Sequence, residues 1–350
     1  MSPTSVPASP DPLLADFLIA HRLARPGETA HWTPLAGGVS SDLWRVDLPG
    51  RSLCVKRALA RLRVAADWEA PVSRNAYEWA WMRFASRHRP DNVPELLAQD
   101  AEAGLFAMAY LPPGRYPMWK ARLLGGEVEV ATAAAVGEVL GTLHAASAGD
   151  AAIAAEFATD DNFHALRIEP YLLATAAAHP ELDDILQSLA DRTSTTRLAL
   201  VHGDVSPKNI LVGPAGPVLL DAECAWYGDP AFDVAFCVNH LLLKTLVVPG
   251  RRGELLSCAR ALVEEYLRCV DWEPRPVIEE RAAALLPALL LARVDGKSPV
   301  EYLTDDRHRL FVRTAASALL RAPVPTVADV LDAWAVAVGT HAEPVSGRPD

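Results

Sequence analysis

Between positions 202 and 223 the chain reads His-Gly-Asp-Val-Ser-Pro-Lys-Asn, then two short apolar runs about a Gly-Pro-Ala-Gly-Pro turn, then Asp-Ala-Glu. Asp204 and Asn209 lie five apart, and Asp221 and Glu223 follow the apolar hairpin. Such a set suits phosphoryl transfer, which asks little covalent chemistry of a protein once charge is neutralised and the accepting hydroxyl is aligned. Asp204 would receive or orient the hydroxyl. Asn209 and Asp221 would hold Mg²⁺ against the phosphates of a nucleoside triphosphate, because hard cations prefer oxygen ligands, and Glu223 is a candidate third donor. A turn or cap role would explain either aspartate alone, though not the three residues together in one short segment.

Upstream, Gly37-Gly38-Val39-Ser40 precedes a β-prone run, and Gly37, Gly38 and Ser40 can bring backbone N–H groups and a hydroxyl close to phosphates. Lys56 follows eighteen residues after Gly38, on the far side of an expected hairpin, where its ammonium could reach the same phosphates. Glu78, on the next helical stretch, would pair with Lys56 and hold it; a solvent-facing pair with Arg74, four residues earlier, is the rival explanation for that glutamate.

Substrate contacts are harder to read. Arg293 and Lys297 close an apolar helix, where cations also serve as ordinary C-terminal caps; if both reach the acceptor, it should be anionic or polyhydroxylated. Trp226 could wall an acceptor site or simply pack in the core. Lys208 lies inside the catalytic segment, as a phosphate contact or a solvated lysine, and the stretch 119–122 is a further candidate. His144 reads as a packed helix histidine.

The elements that must position these groups divide unequally. Runs at 43–46 and 53–55 flank Leu48-Pro49-Gly50-Arg51 as a hairpin, a helix is expected over 72–87, and a strand over 105–111 ends at Pro112-Pro113-Gly114. Beyond that break, helical periods recur at 130–147, 169–178, 182–191, 232–246, 254–270, 277–293, 307–321 and 326–338, interrupted only by the β-prone cluster at 198–221. The layout is α+β, with two lobes: a β-rich nucleotide lobe over 12–110 and a larger, mostly helical lobe over 111–340 carrying the catalytic loop, metal and acceptor sites. Residues 1–11 and 341–350 are expected to be disordered tails.

Composition sets the outer limits. With 350 residues, 51% hydrophobic and 22% charged, the chain can bury a large core and is not disordered. A net charge of −11 argues against nucleic acid as a partner. The five cysteines are odd in number and lack a C-x-x-C spacing, so neither a disulfide framework nor a zinc ribbon is expected. No signal peptide is visible, and the apolar run 282–292 contains Pro287 and is far short of the roughly 20 residues that span a bilayer, so a cytoplasmic protein without a membrane partner is expected.

At these residues the chain resembles the aminoglycoside phosphotransferase and choline kinase superfamily, small-molecule kinases with a protein-kinase-like fold. The likeness runs from Gly37 through Lys56 and Glu78 to His202, Asp204, Asn209, Asp221 and the segment 227–233. It implies ATP and Mg²⁺, with Asp204 as catalytic base, Asn209 and Asp221 as metal ligands, Lys56 on the phosphates, and His202 and Asp233 in structural roles, Asp233 accepting hydrogen bonds from the catalytic loop. It also implies that the adenine edge meets the connector near Met108 and Tyr110. The glycine pair departs from the G-x-G-x-x-G of protein kinases, and only seven positions separate Asp221 from Gly228, too few for a peptide-docking segment. A small hydroxyl acceptor is therefore implied: a sugar, an amino alcohol or an aminoglycoside-like compound. Asp221-Ala222-Glu223 and the run 232–243 are similar to methylthioribose kinase, from which Asn209 departs, so that substrate is not carried over. The rival expectations are a nucleotide-binding module without turnover and a metal-dependent hydrolase using Asp221 and Glu223.

Overall fold

The computed structural model describes residues 10–35, 41–59 and 74–342. Five antiparallel strands form one sheet: β1 (His31–Pro34), β2 (Ser41–Leu48), β3 (Arg51–Ala58), β4 (Leu96–Asp100) and β5 (Leu105–Ala109), in the order β1-β2-β3-β5-β4. The turn between β2 and β3 is Pro49-Gly50, with Gly50 at φ +80°, a conformation that costs glycine nothing. Register follows from it, Leu48 opposite Arg51 and Leu43 opposite Lys56.

Side-chain alternation along β3 and β5 divides the sheet's contacts between two cores. Leu53, Val55, Leu105 and Ala107 join Trp44 and Val46 against Leu14, Phe17 and Leu18 of the helix Pro12–Ala20. Cys54, Phe106 and Met108 face the other way, onto Trp81, Met82 and Phe84 of the helix Arg74–His88. Lys56 shares the parity of Cys54, so the pleat turns its ammonium toward the larger lobe. The Pro12–Ala20 helix is capped by Asp11, whose side chain accepts from Leu13 N, so residue 11 belongs to the folded lobe rather than to a tail. The last helix runs to Ala342, four residues past its expected end at 338.

The larger lobe is built around the helix Ala231–Val247, buried on every side from Ala231 to Leu246. Helices Val130–Ser147, Arg252–Cys269 and Arg275–Asp295 surround it. The segment expected as one helix over 169–178 is instead a π-helical stretch, His164–Leu173, running into Ala174–Ala178. Pro170 lies inside it; with no N–H to give, it breaks the regular i→i−4 ladder. Two short ribbons complete the lobe. In one, β6 (Ala199–Val201) pairs with β9 (Trp226–Gly228); in the other, β7 (Ile210–Gly213) pairs with β8 (Gly216–Leu219). All five cysteines are free thiols. Among the described residues, no helix is long and apolar enough to cross a membrane.

Candidate active site

The loop between β6 and β7 carries His202, Asp204 and Asn209, and the loop between β8 and β9 carries Asp221 and Glu223. Two short ribbons therefore bring together groups up to about twenty residues apart. Asp233, at the start of the buried helix, accepts hydrogen bonds from the main-chain N–H groups of His202 at 2.7 Å and Gly203 at 2.9 Å. Gly203 adopts φ +77°, and a Cβ there would lie 2.5 Å from the Cys224 carbonyl oxygen, so the loop's tight path requires glycine. His202 accepts from Asp204 N–H at Nδ1 (3.1 Å) and donates from Nε2 to the Leu220 carbonyl (3.1 Å). Burial lowers its pKa, which keeps the ring neutral and suits a single proton on Nε2. His202 thus ties the two loops together. His144, packed against Tyr266 and 3.3 Å from Asp233 Oδ2, braces the same aspartate from behind.

Asp204 is buried, and its Oδ2 lies 2.8 Å from Asn209 Nδ2, 3.0 Å from Arg167 Nη2 and 3.3 Å from Lys208 Nζ. Burial alone would raise its pKa, but the Lys208 ammonium and the Arg167 guanidinium outweigh that, and the carboxyl stays below the usual range. Asp204 is therefore a carboxylate at neutral pH. Sequence reading missed Arg167. It comes from the π-helical segment 37 positions before Asp204, gives Nε to the Gly203 carbonyl at 2.5 Å, and has no local motif to announce it.

From the sheet, Lys56 Nζ lies 2.5 Å from Asp221 Oδ1 and 2.7 Å from Glu78 Oε2. Burial works against the ammonium, but the carboxylates of Asp221, Glu78 and Glu223 raise its pKa above the ordinary lysine value. Burial pushes Glu78 up against the pull of Lys56; Asp221, also opposed by burial, is held well below its usual value by Lys56 and Lys208. Asp221 occupies the left-handed region at φ +67°, a strained position for a residue with a side chain. The rival pairing for Glu78 fails: Arg74 is fully buried and directs Nε to Glu223 Oε2 at 3.0 Å, 149 positions away.

The donor set suits a magnesium ion bound to phosphates. Asn209 spends its amide N–H groups on Asp204, leaving its carbonyl oxygen for a cation, and Asp221 keeps 28% of its side chain exposed. Among the described residues no three His, Cys, Asp or Glu side chains form a metal cluster. Glu223 is engaged by Arg74. Met108 pairs with Cys54 across β3 and β5, and Tyr110 just beyond lies under Arg45, 4.6 Å from ring centroid to guanidinium. Gly37, Gly38 and Ser40 lie outside the described residues.

Trp226 does not join this group. Its ring is buried, stacks on Phe163 at 4.2 Å and donates to Asp160 at 2.8 Å, so the core-packing alternative describes its surroundings. Lys297 is surface-exposed and pairs with Glu169 at 2.5 Å. Arg293 is buried, with Nη1 on Tyr171 Oη at 2.9 Å.

A small antiparallel sheet set against a helical lobe, with Lys56 and Asp221, and Asp204 and Asn209, brought together by that packing, defines a two-lobed α+β architecture. The family model described as "Phosphotransferase enzyme family" (APH) matches residues 31–248, and the chain belongs to that family. It is 25% identical over 284 residues to a methylthioribose kinase of Escherichia coli, covering 70% of this chain and 67% of that one. It is 28% identical over 235 residues to that of Yersinia enterocolitica, covering 59% and 58%. The chain thus spans between about half and two thirds of the length of these relatives. A choline/ethanolamine kinase family protein from Mesorhizobium loti superposes with a TM-score of 0.49 at 18% identity, covering 92% of this chain and 99% of that one.

Proposed function

We propose that this protein is an ATP- and Mg²⁺-dependent kinase that transfers the γ-phosphoryl group to a hydroxyl of a small molecule. One observation carries the reading: a buried, ionised aspartate, Asp204, pinned by Asn209, Arg167 and Lys208, with Lys208 also acting on Asp221, the ion-pair partner of Lys56. When bound, Mg²⁺ neutralises charge on the phosphates; Asn209 and Asp221 would hold it. Lys56, kept in place by Glu78, pairs with the phosphate oxygens. Asp204 orients the acceptor hydroxyl and accepts its proton as the O–P bond forms, while ADP leaves with the electrons of the broken bond. Arg167 and Lys208 keep that carboxylate ionised, and Asp233 holds the loop that bears it. The nucleotide lobe over 12–110 and the acceptor lobe over 111–340 divide the two substrates between them.

ADP release measured over a panel of sugars, amino alcohols, aminoglycosides and methylthioribose tests the proposal. Acceptor-dependent ADP formation that stops on chelating Mg²⁺ is expected. ADP formation without any acceptor, or none with every acceptor, would overturn it.

A further inference from the structure

Beyond Asp204 the larger lobe holds a group of cations that the phosphoryl-transfer machinery does not use. Lys244, on the fully buried helix Ala231–Val247, is 1% exposed. Its Nζ donates only to the His240 carbonyl of its own helix (3.2 Å) and lies over the Tyr302 ring at 4.7 Å; among the described residues no carboxylate pairs with it. Arg293, 8% exposed, is a second such ion. Its contacts are the Tyr171 hydroxyl, the Ser298 carbonyl and the Ser298 hydroxyl, and its Nε is buried without a hydrogen-bond partner. Lys120 also approaches the Tyr302 ring, at 6.0 Å, and pairs with Glu301, the one carboxylate nearby.

These cations are continuous with the catalytic aspartate. The Arg167 guanidinium sits 5.5 Å from the Tyr171 ring, which also receives Arg293 at 5.5 Å. It sits 5.6 Å from Phe236, whose ring meets His240 at 5.5 Å, and His240 in turn lies 3.4 Å from Tyr302 Oη. Burial, then the charges of Arg293, Lys244, Lys208 and Lys120, hold the His240 imidazole well below its ordinary value. The same two causes, burial first and then neighbouring Lys120, push Lys244 down to about 7. Arg167 and Lys208 are answered by Asp204, with Asp221 beside Lys208 and Glu223 beside Arg167, and Lys120 by Glu301, whereas Lys244 and Arg293 have no ion-pair partner among the described residues, in a chain whose net charge is −11. Burying ions without counter-charges is expensive, and a ligand that supplies the missing charge recovers that cost on binding.

We infer that the acceptor is an anionic hydroxyl compound, a hydroxy acid or acidic sugar whose carboxylate or phosphate is received by Lys244 and Arg293 while its hydroxyl faces Asp204. The inference rests on the kinase reading above and specifies its acceptor.

Matched acceptors test it: glycerate and gluconate against neutral glycerol and glucose, and against cationic ethanolamine and glucosamine, read as ADP release and as ligand-induced change in Tm. The anionic members are expected to show kcat/KM higher by about tenfold or more, the worth of a charge-assisted hydrogen bond. Lys244→Met and Arg293→Met should raise KM for the anionic acceptors by a similar factor with a smaller change in kcat, and leave KM for neutral ones alone. Lys120→Ala, at a partly exposed side chain, provides a variant less exposed to folding failure and should move in the same direction. Neutral or cationic acceptors phosphorylated equally well would overturn the inference and leave the kinase reading intact. If nothing in the panel is phosphorylated, the kinase reading fails, and the inference is read from Tm: stabilisation by gluconate but not glucose, lost in Lys244→Met, supports it, and no such stabilisation overturns it.

Discussion

Two lysines are buried in this molecule under opposite conditions. Lys56 sits on β3 between Glu78 at 2.7 Å and Asp221 at 2.5 Å, and its pKa is raised. Lys244 sits on the central helix with a main-chain carbonyl and an aromatic ring for company, and its pKa is pushed down to about 7. Burial is the first influence on both and acts in the same direction on each; the carboxylates decide the difference. The surroundings of Lys56 are thus internally compensated, whereas Lys244 and Arg293 have no carboxylate paired with them among the described residues. A compensated pair contributes shape, and an uncompensated one contributes affinity for whatever completes it.

The largest effect expected from breaking this arrangement is at the carboxylate between the two regions. Asp204→Asn should lower turnover by about a thousandfold while nucleotide affinity, read by ATP titration, barely changes, because the role proposed for that residue is on the hydroxyl. Equal activity of the variant would remove Asp204 from the mechanism.

The two lysines should then respond differently to the same substitution. Lys56→Met leaves Glu78 buried without its counter-charge and should cost about 3–5 kcal/mol in urea unfolding, much of it restored by the double variant Lys56→Met/Glu78→Gln. Lys244→Met removes an ion that has no carboxylate partner among the described residues, and should be neutral or stabilising by up to about 4 kcal/mol. Comparable destabilisation at both positions would erase the contrast.

A smaller effect sharpens it. The folded protein holds Lys244 near pKa 7, against about 10.4 for an exposed lysine. Between those values the unfolded chain binds more protons than the folded one, so this residue makes stability rise with pH across the window, and below about 7 the penalty is complete. His240, Tyr302, Lys120, Arg293 and Glu301 share the site, so the clean measurement is the difference in Tm between the wild type and Lys244→Met as a function of pH. That difference should shrink from pH 7 to pH 10.

What could be read along the chain was local. The segment 202–223 announces its chemistry because Asp204, Asn209 and Asp221 are spaced by one loop and one hairpin, and loop chemistry depends on near neighbours. The β2–β3 hairpin and the helix Val130–Ser147 were equally legible, the first from Pro49-Gly50 and the second from its apolar period. Strand β4 was not. Its five residues are all half-buried at a sheet edge and include Gln99 and Asp100, so no alternation marks it. Helical spacing offered Arg74 as a rival partner for Glu78, yet Arg74 reaches Glu223, which spacing along one helix cannot reveal. Arg167 fell just before the helix expected over 169–178, and Lys244 stood inside the apolar run 232–246, so neither carried a motif.

The amino-acid order by itself determined the α+β layout, the loop bearing the acid and amide oxygens, and the lysine on the third strand, because pattern, turn residues and short spacings act between neighbours. Only the tertiary structure decided which buried charges are answered and which are not. Ion pairing and desolvation depend on distance in space, and here the deciding partners lie 22 positions apart for Lys56 and Glu78, 149 for Arg74 and Glu223, and nowhere in the described chain for Lys244.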